Sequence, residues 1–178
     1  THLPWTFPFS VAHFQPQLTG LLFALLFLLA AAAAVIYSCY IKRTLTAVLI
    51  GFGLILLGSL AQGSLDEAFI QPFTASGIQY YHDALQVGDG TAFLNDFNAS
   101  QLSVGIPART HPPLAVLLHS WRLRGGSDPA LLSSVFSLAA LLSLAALAVM
   151  LGWLNTPLRR QYRLILLAAL LPAVNTYS

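Results

Sequence analysis

The chain has 178 residues, of which 57% are apolar and 8% charged, and its mean hydropathy is +0.73. Because soluble domains usually carry about 25% charged residues, this composition excludes a chain whose surface mostly faces water and indicates an integral membrane protein. The net charge of +2 is small and no run of Lys or Arg is present, so we expect no nucleic acid among its partners.

Four apolar stretches predict membrane-spanning helices. A bilayer core about 30 Å thick requires roughly 20 apolar residues in a helix. The predicted spans cover about 18–40, 44–62, 129–154 and 162–178. The predicted fold class is therefore all-α, a polytopic membrane helix bundle. In the second span, Gly51, Gly53 and Gly58 favour close helix packing.

Charge predicts the orientation of these spans. Short connections rich in Lys and Arg usually face the cytoplasm, and two such connections occur here. Their basic residues are Lys42, Arg43, Arg159, Arg160 and Arg163. All six acidic residues instead lie within the long segment 63–128. The pattern predicts a multi-pass protein of the plasma (inner) membrane with the loop 63–128 on the outer side.

The outer loop is predicted to contain short helices rather than one disordered connection. Acids at Asp66 and Glu67 suit a helix N-terminus. Residues 76–86 have an amphipathic pattern typical of helices in the membrane interface, with Ile78, Tyr81, Leu85 and Val87 predicted close to one face. A polar loop is expected at 95–103. Pro112 and Pro113 then suit the first turn of a further interfacial helix, in which we expect His119 to be packed or hydrogen-bonded rather than catalytic.

Asp66 and Glu67 follow directly on the second apolar span. A carboxylate next to lipid headgroups lies in a lowered dielectric, which makes it a better general base near neutral pH. Asp66 is therefore the candidate catalytic residue, with Glu67 as a candidate substrate-binding neighbour. The pair could also hold a divalent cation. The alternative is that both acids cap the next helix and have no chemical role.

Arg109 and His111 precede the double proline and form the candidate phosphate-binding pair. A guanidinium and an imidazole at a helix start can hold a phosphate, and the partial positive charge of the helix end adds to this attraction. The alternative is that Arg109 contacts anionic lipid headgroups. The spacing of His and acidic residues matches no compact zinc ligand set.

The order of these motifs resembles a known family. The sequence has Leu65-Asp66-Glu67-Ala68 after an apolar span, then His111-Pro112-Pro113-Leu114, then Leu117 to Leu123 and Gly125 to Leu131 leading into the next span. This order is similar to the N-terminal part of the GT-C superfamily of membrane glycosyltransferases, especially those of the protein-mannosyltransferase and aminoarabinose-transferase type. The resemblance covers about residues 65–178. One departure is the pair of apolar spans before the acidic motif, where many members have one.

The resemblance implies a function and its partners. It implies that a sugar moves from a polyprenyl-phosphate donor to an acceptor on the outer face, with inversion at the anomeric carbon. Asp66 would accept the acceptor's proton, and Arg109 would stabilise the phosphate. The implied partners are the lipid-linked sugar donor, membrane lipids and an acceptor of unknown identity, and no cofactor is certain. The rival classes are a multispanning transporter or channel and a noncatalytic membrane scaffold.

Overall fold

The computed structural model describes residues 18–41, 43–74, 80–101, 103–105, 108–109, 112–126 and 128–171. All regular elements within these ranges are helical, which confirms the all-α class. In chain order the α-helices are α1 (Leu18–Ile36), α2 (Thr44–Leu60), α3 (Leu65–Phe69), α4 (Gln71–Thr74), α5 (Tyr81–Gln86), α6 (Gly90–Asn95), α7 (Phe97–Ser100), α8 (Leu114–Leu123), α9 (Pro129–Trp153) and α10 (Leu158–Ala169). A 3₁₀ turn, Tyr37–Tyr40, extends α1.

Two of the described helices, α1 and α9, are long and apolar enough to cross a membrane. In their most apolar windows only 6% and 11% of the residues are buried, respectively. The core helix of a soluble domain would be mostly covered, so this exposure favours membrane association. Helix α2 has 17 residues, which at about 1.5 Å each span less than the bilayer core of roughly 30 Å.

The fourth predicted span, 162–178, is described only as far as residue 171, and α10 begins before it, at Leu158, and has 12 residues. Its remaining predicted residues, 172–178, lie outside the described part. A bundle with four crossings therefore stays a prediction, since two described helices meet the requirements for crossing by length and composition.

The long helices share a core made by α2, α9 and α10. The buried residues of this core are Ala47, Val48, Ile55, Leu144, Leu151, Tyr162, Ile165 and Ala169. Helix α1 joins it through a smaller cluster in which Ala31 meets Leu54 and Leu166. At the basic end, Thr44 Oγ1 donates a hydrogen bond to Gln161 Oε1 at 3.2 Å, and Gln161 Nε2 donates to the Thr156 carbonyl at 2.7 Å. These bonds hold the N-terminal ends of α2 and α10 together.

The loop helices form a second core over the first turns of α9. Its buried members are Phe73, Tyr81, Ala84, Ala108, Val116, Leu123 and Leu132. The ring of Phe136 on α9 extends this core, with its centroid 5.2 Å from that of Phe73. The predicted outer loop, 63–128, is thus a packed helical layer. We name it the outer layer after that prediction. Its chain order places it at the end of α9 opposite the basic connections.

Two predictions for this layer need correction. The predicted amphipathic face included Tyr81 and Leu85, but Tyr81 and Ala84 are buried while Leu85 is 47% exposed. Tyr81 and Ala84 lie in the core that α5 shares with Val116 and Leu123 of α8. Residues 75–79 lie outside the described part. The polar loop predicted at 95–103 is also wrong in part, because α7 lies within it and follows α6 after Asp96.

The glycines of α2 differ in their surroundings. A Cβ atom on Gly51 would come within 3.2 Å of Ala169 Cβ and 3.3 Å of Leu144 Cδ1, so the predicted close packing is confirmed there. Gly53 is wrongly included in that prediction, because a Cβ on it would meet nothing within 4 Å. The two positions lie on opposite sides of α2, one facing the core and the other facing outward.

Candidate functional site around Asp66

A tight turn between α2 and α3 positions the acidic pair. Gly63 has a φ of 143°, a conformation that side-chain-bearing residues rarely adopt. Ser64 then caps α3: its hydroxyl accepts a hydrogen bond from the Glu67 amide at 3.3 Å. In return, the Glu67 carboxylate accepts from the Ser64 amide at 2.7 Å. This reciprocal capping box explains why five residues can form a helix at all.

The capping box explains the position of the Glu67 side chain, as the alternative interpretation of the acidic pair expected. It does not explain the carboxylate of Asp66. Asp66 Oδ2 accepts a hydrogen bond from Gln71 Nε2 at 3.1 Å. The side chain is exposed on the first turn of α3. The structure therefore separates the two neighbours. One carboxylate stabilises the helix start, and the other is exposed.

A groove of about 330 Å³ lies beside α3, between α2 and α9. Phe69 and Ile70, one helical turn after Asp66, form part of its wall. The other lining residues are Phe52, Leu56, Ala130, Ser133, Ser134 and Ser137. The groove is thus mainly apolar and carries serine hydroxyls on its α9 side. These serines were not predicted from the sequence, where their signal is a spacing of i, i+1 and i+4 within an apolar helix.

Arg109 lies in a different local network. Its guanidinium Nη2 donates a hydrogen bond to the Val104 carbonyl at 3.0 Å, and Gln101 Nε2 donates to the Arg109 carbonyl at 2.7 Å. The side chain is exposed. Asp66 and Arg109 are both described, and no hydrogen bond or ion pair joins them. His111, the other half of the candidate phosphate-binding pair, lies outside the described residues.

His119 is packed, as predicted. It is 7% exposed on α8, and its Nδ1 donates to the Ala115 carbonyl at 2.8 Å. Its ring lies 5.6 Å from that of Tyr80 and 5.3 Å from that of Phe136. Burial lowers the pKa of His119, although the hydrogen bond to Ala115 acts in the opposite direction. Its position between two aromatic rings indicates a structural role.

Asp83 also has a structural role that the sequence did not predict. Both of its carboxylate oxygens accept the Gly105 amide hydrogen, at 3.0 and 3.1 Å. A Cβ on Gly105 would approach Asp83 Oδ2 to 2.9 Å, so a larger residue there would require the Asp83 side chain to shift. The bond ties the segment before Arg109 to α5. It thus positions the candidate phosphate-binding region relative to the outer layer.

Within the described ranges, no three His, Cys, Asp or Glu side chains are grouped so that they could share a metal ion. The divalent cation considered for Asp66 and Glu67 would have these two carboxylates as its protein ligands. One of them already accepts the Ser64 amide hydrogen. A cation at this position stays a prediction.

Comparison with known proteins adds no further identification. The chain matches no protein-family model, no curated protein sequence and no solved structure. The resemblance to the GT-C glycosyltransferases therefore rests on the residues and motif order described above.

Proposed function

We propose that this chain is part of a membrane glycosyltransferase that moves a sugar from a polyprenyl-phosphate donor to an acceptor on the outer face. The observation that carries the proposal is the exposed carboxylate of Asp66, one helical turn before Phe69 and Ile70 in the wall of an apolar groove. A lipid-linked donor has an apolar tail and a polar head. Such a molecule suits a groove between two apolar helices with a carboxylate one helical turn from its wall.

The proposed reaction is a single displacement. The acceptor hydroxyl or amine gives its proton to Asp66 as its oxygen or nitrogen attacks the anomeric carbon of the sugar. The bond between the anomeric carbon and the phosphate oxygen breaks at the same time. Its electron pair leaves with the polyprenyl phosphate, and the configuration at carbon inverts. Arg109, with His111, is the proposed partner for the charge that develops on the phosphate.

Two features favour this class over a transporter or channel. Transport proteins usually carry ionisable residues or broken helices within the membrane. Helices α1, α2 and α9 contain no charged residue, and their described backbone is continuous. All six acids lie in the segment 66–128. The acidic side chains that could act as bases are thus concentrated in one segment, outside the long apolar helices.

Replacing Asp66 with Asn tests the proposal. Asp66→Asn keeps the shape and can still accept the hydrogen bond from Gln71, but it removes the base. We expect the rate of sugar transfer to fall by about 10²–10⁴-fold, the usual contribution of a general base. The assay measures transfer from a polyprenyl-phosphate sugar by membranes that contain equal amounts of the expressed protein.

Asp128→Asn is the matched control. Asp128 is also an exposed outer-layer carboxylate, and it caps α9 by accepting the Ala130 amide hydrogen at 2.9 Å. Asn caps helices about as well as Asp, so this variant loses one charge without losing the cap and should keep its activity. Sugar transfer by Asp66→Asn at the wild-type rate would end the catalytic assignment.

Glu67→Gln separates a base from a cation site. Gln can replace Glu in a capping box, so this change should reduce transfer much less than Asp66→Asn. If the two carboxylates instead hold a divalent cation, both variants should lose activity and a chelator should reproduce the loss.

A further inference from the structure

A second groove, of about 280 Å³, lies near the basic end of the long helices. It is lined by Val35 at the end of α1, by Ser38 in the 3₁₀ turn, and by Arg163, Leu166 and Leu167 on α10. Ser38 is 6% exposed, whereas Val35 and Leu167 are each more than half exposed. The groove therefore has a polar, covered part and an apolar part open to the outside of the bundle.

The charge around this groove is positive and locally unbalanced. The guanidinium of Arg163 has no hydrogen bond or ion pair to any other residue of the described ranges. Arg159 and Arg160, one turn earlier on α10, are exposed, as is Arg43 before α2. All six acidic side chains lie in the segment 66–128, and none belongs to the helices that line the groove. Among the described residues, no side chain that lines the groove is acidic, so Arg163 has no anionic neighbour within it.

We propose that this groove binds one anionic glycerophospholipid at the inner surface of the membrane. The lipid phosphate would accept hydrogen bonds from Arg163, whose planar guanidinium suits phosphate oxygens. One acyl chain would lie against Val35 and Leu167. Ser38 lies at the polar end and can donate a further hydrogen bond. Bound in this way, the lipid would link the end of α1 to α10, which otherwise make few contacts.

The inference depends on one part of the proposed function, namely that the chain lies in a membrane. It does not depend on glycosyl transfer. Lipid retention therefore tests it, with no assay of activity. The whole chain is reconstituted into phosphatidylcholine nanodiscs that contain a minor share of phosphatidylglycerol. Native mass spectrometry of the released protein then counts the bound lipids of each kind. We expect the wild type to retain one phosphatidylglycerol in preference to phosphatidylcholine.

Variants locate the site. Arg163→Gln should lower phosphatidylglycerol retention by about tenfold or more, because a charge-assisted hydrogen bond to the lipid phosphate is lost. Arg163→Lys should restore part of it, because the charge remains but the bidentate geometry does not. Arg159→Gln removes the same charge from an exposed position that does not line the groove, so it should change retention less than twofold.

Val35→Trp tests the groove without changing its charge. The indole would occupy the apolar part, so retention should fall although Arg163 is still present. If Arg163→Gln and Arg159→Gln reduced phosphatidylglycerol retention equally, the proposed site would be wrong. It would also be wrong if the wild-type protein showed no preference for phosphatidylglycerol. A chain that stays out of the nanodisc would overturn the membrane placement as well. Loss of sugar transfer with normal lipid retention would affect the proposed function alone.

Discussion

At the scale of single residues, the turn before α3 gives the neighbouring acids Asp66 and Glu67 different hydrogen-bond partners. Adjacent carboxylates at a helix start are equivalent by composition, and the sequence prediction preferred Asp66 for its place after the apolar span and in the resembling acidic motif. In the fold, the Ser64 amide lies within 2.7 Å of Glu67 and fixes that side chain in the cap. Asp66, one position earlier, instead accepts a side-chain amide and stays exposed. The candidate base is therefore the member of the pair that the helix does not use.

The buried imidazole of His119 gives a prediction for stability against pH. Because its folded-state pKa lies below the ordinary value, the unfolded chain binds the proton more readily than the folded chain. The stability of the outer layer should therefore fall as pH decreases below about 6.5, the ordinary pKa of His. It should stop falling below the folded-state pKa. Thermal unfolding in detergent across this pH range measures the effect.

His119→Phe is the informative variant for this prediction. It preserves a ring between Tyr80 and Phe136 while removing the titrating group, so the loss of stability at low pH should become smaller. His82→Gln changes an exposed histidine in the same layer and should leave the loss unchanged. An equally steep loss of stability in His119→Phe would assign the pH dependence to other groups.

At the scale of helices, the packing of α2 depends on one glycine and not on its neighbour. Gly51→Leu would place a side chain against Ala169 and Leu144, where even a Cβ meets neighbours at 3.2 and 3.3 Å. We expect a loss of about 1–3 kcal/mol in the free energy of unfolding, as for other overpacked cores. Denaturant or thermal unfolding of the purified protein in detergent measures this loss.

Gly53→Leu is the matched control for α2. It makes the same change two residues away, at an exposed position with nothing within 4 Å of the added Cβ. It should be neutral or slightly stabilising, since Leu favours the helix more than Gly does. Equal destabilisation by both substitutions would mean that Gly51 does not mark the contact between α2 and α10.

At the scale of the whole molecule, the separation of charges predicts its orientation. Single cysteines at Asn98, in the outer layer, and at Arg159, at the basic end, are introduced after Cys39→Ser. Both positions are exposed in the structure. An impermeant thiol reagent added to intact cells should label position 98 and leave position 159 unlabelled until the membrane is opened. Labelling of position 159 from outside would reverse the orientation.

The amino-acid sequence was sufficient to predict the helical class, two apolar helices long enough to cross a membrane, the helix after Pro113 and the packing of His119. These features depend on composition, local pattern and proline geometry, which act over a few neighbouring residues. It also placed Asp66 and Glu67 at the start of a helix, because acids are stabilised there by the partial positive charge of the helix end. The helix start at Leu65 agrees with that placement.

The residues that share a surface could be identified from the tertiary structure alone. The groove near α3 combines Phe52 with Phe69 and Ser133, which are far apart in sequence. Likewise, Leu85 is exposed whereas Tyr81 and Ala84 of the same helix are buried, and helical periodicity cannot indicate which side chains a partner helix will cover. Contacts of this kind arise when separate helices pack together, so the local pattern of any one helix does not contain them.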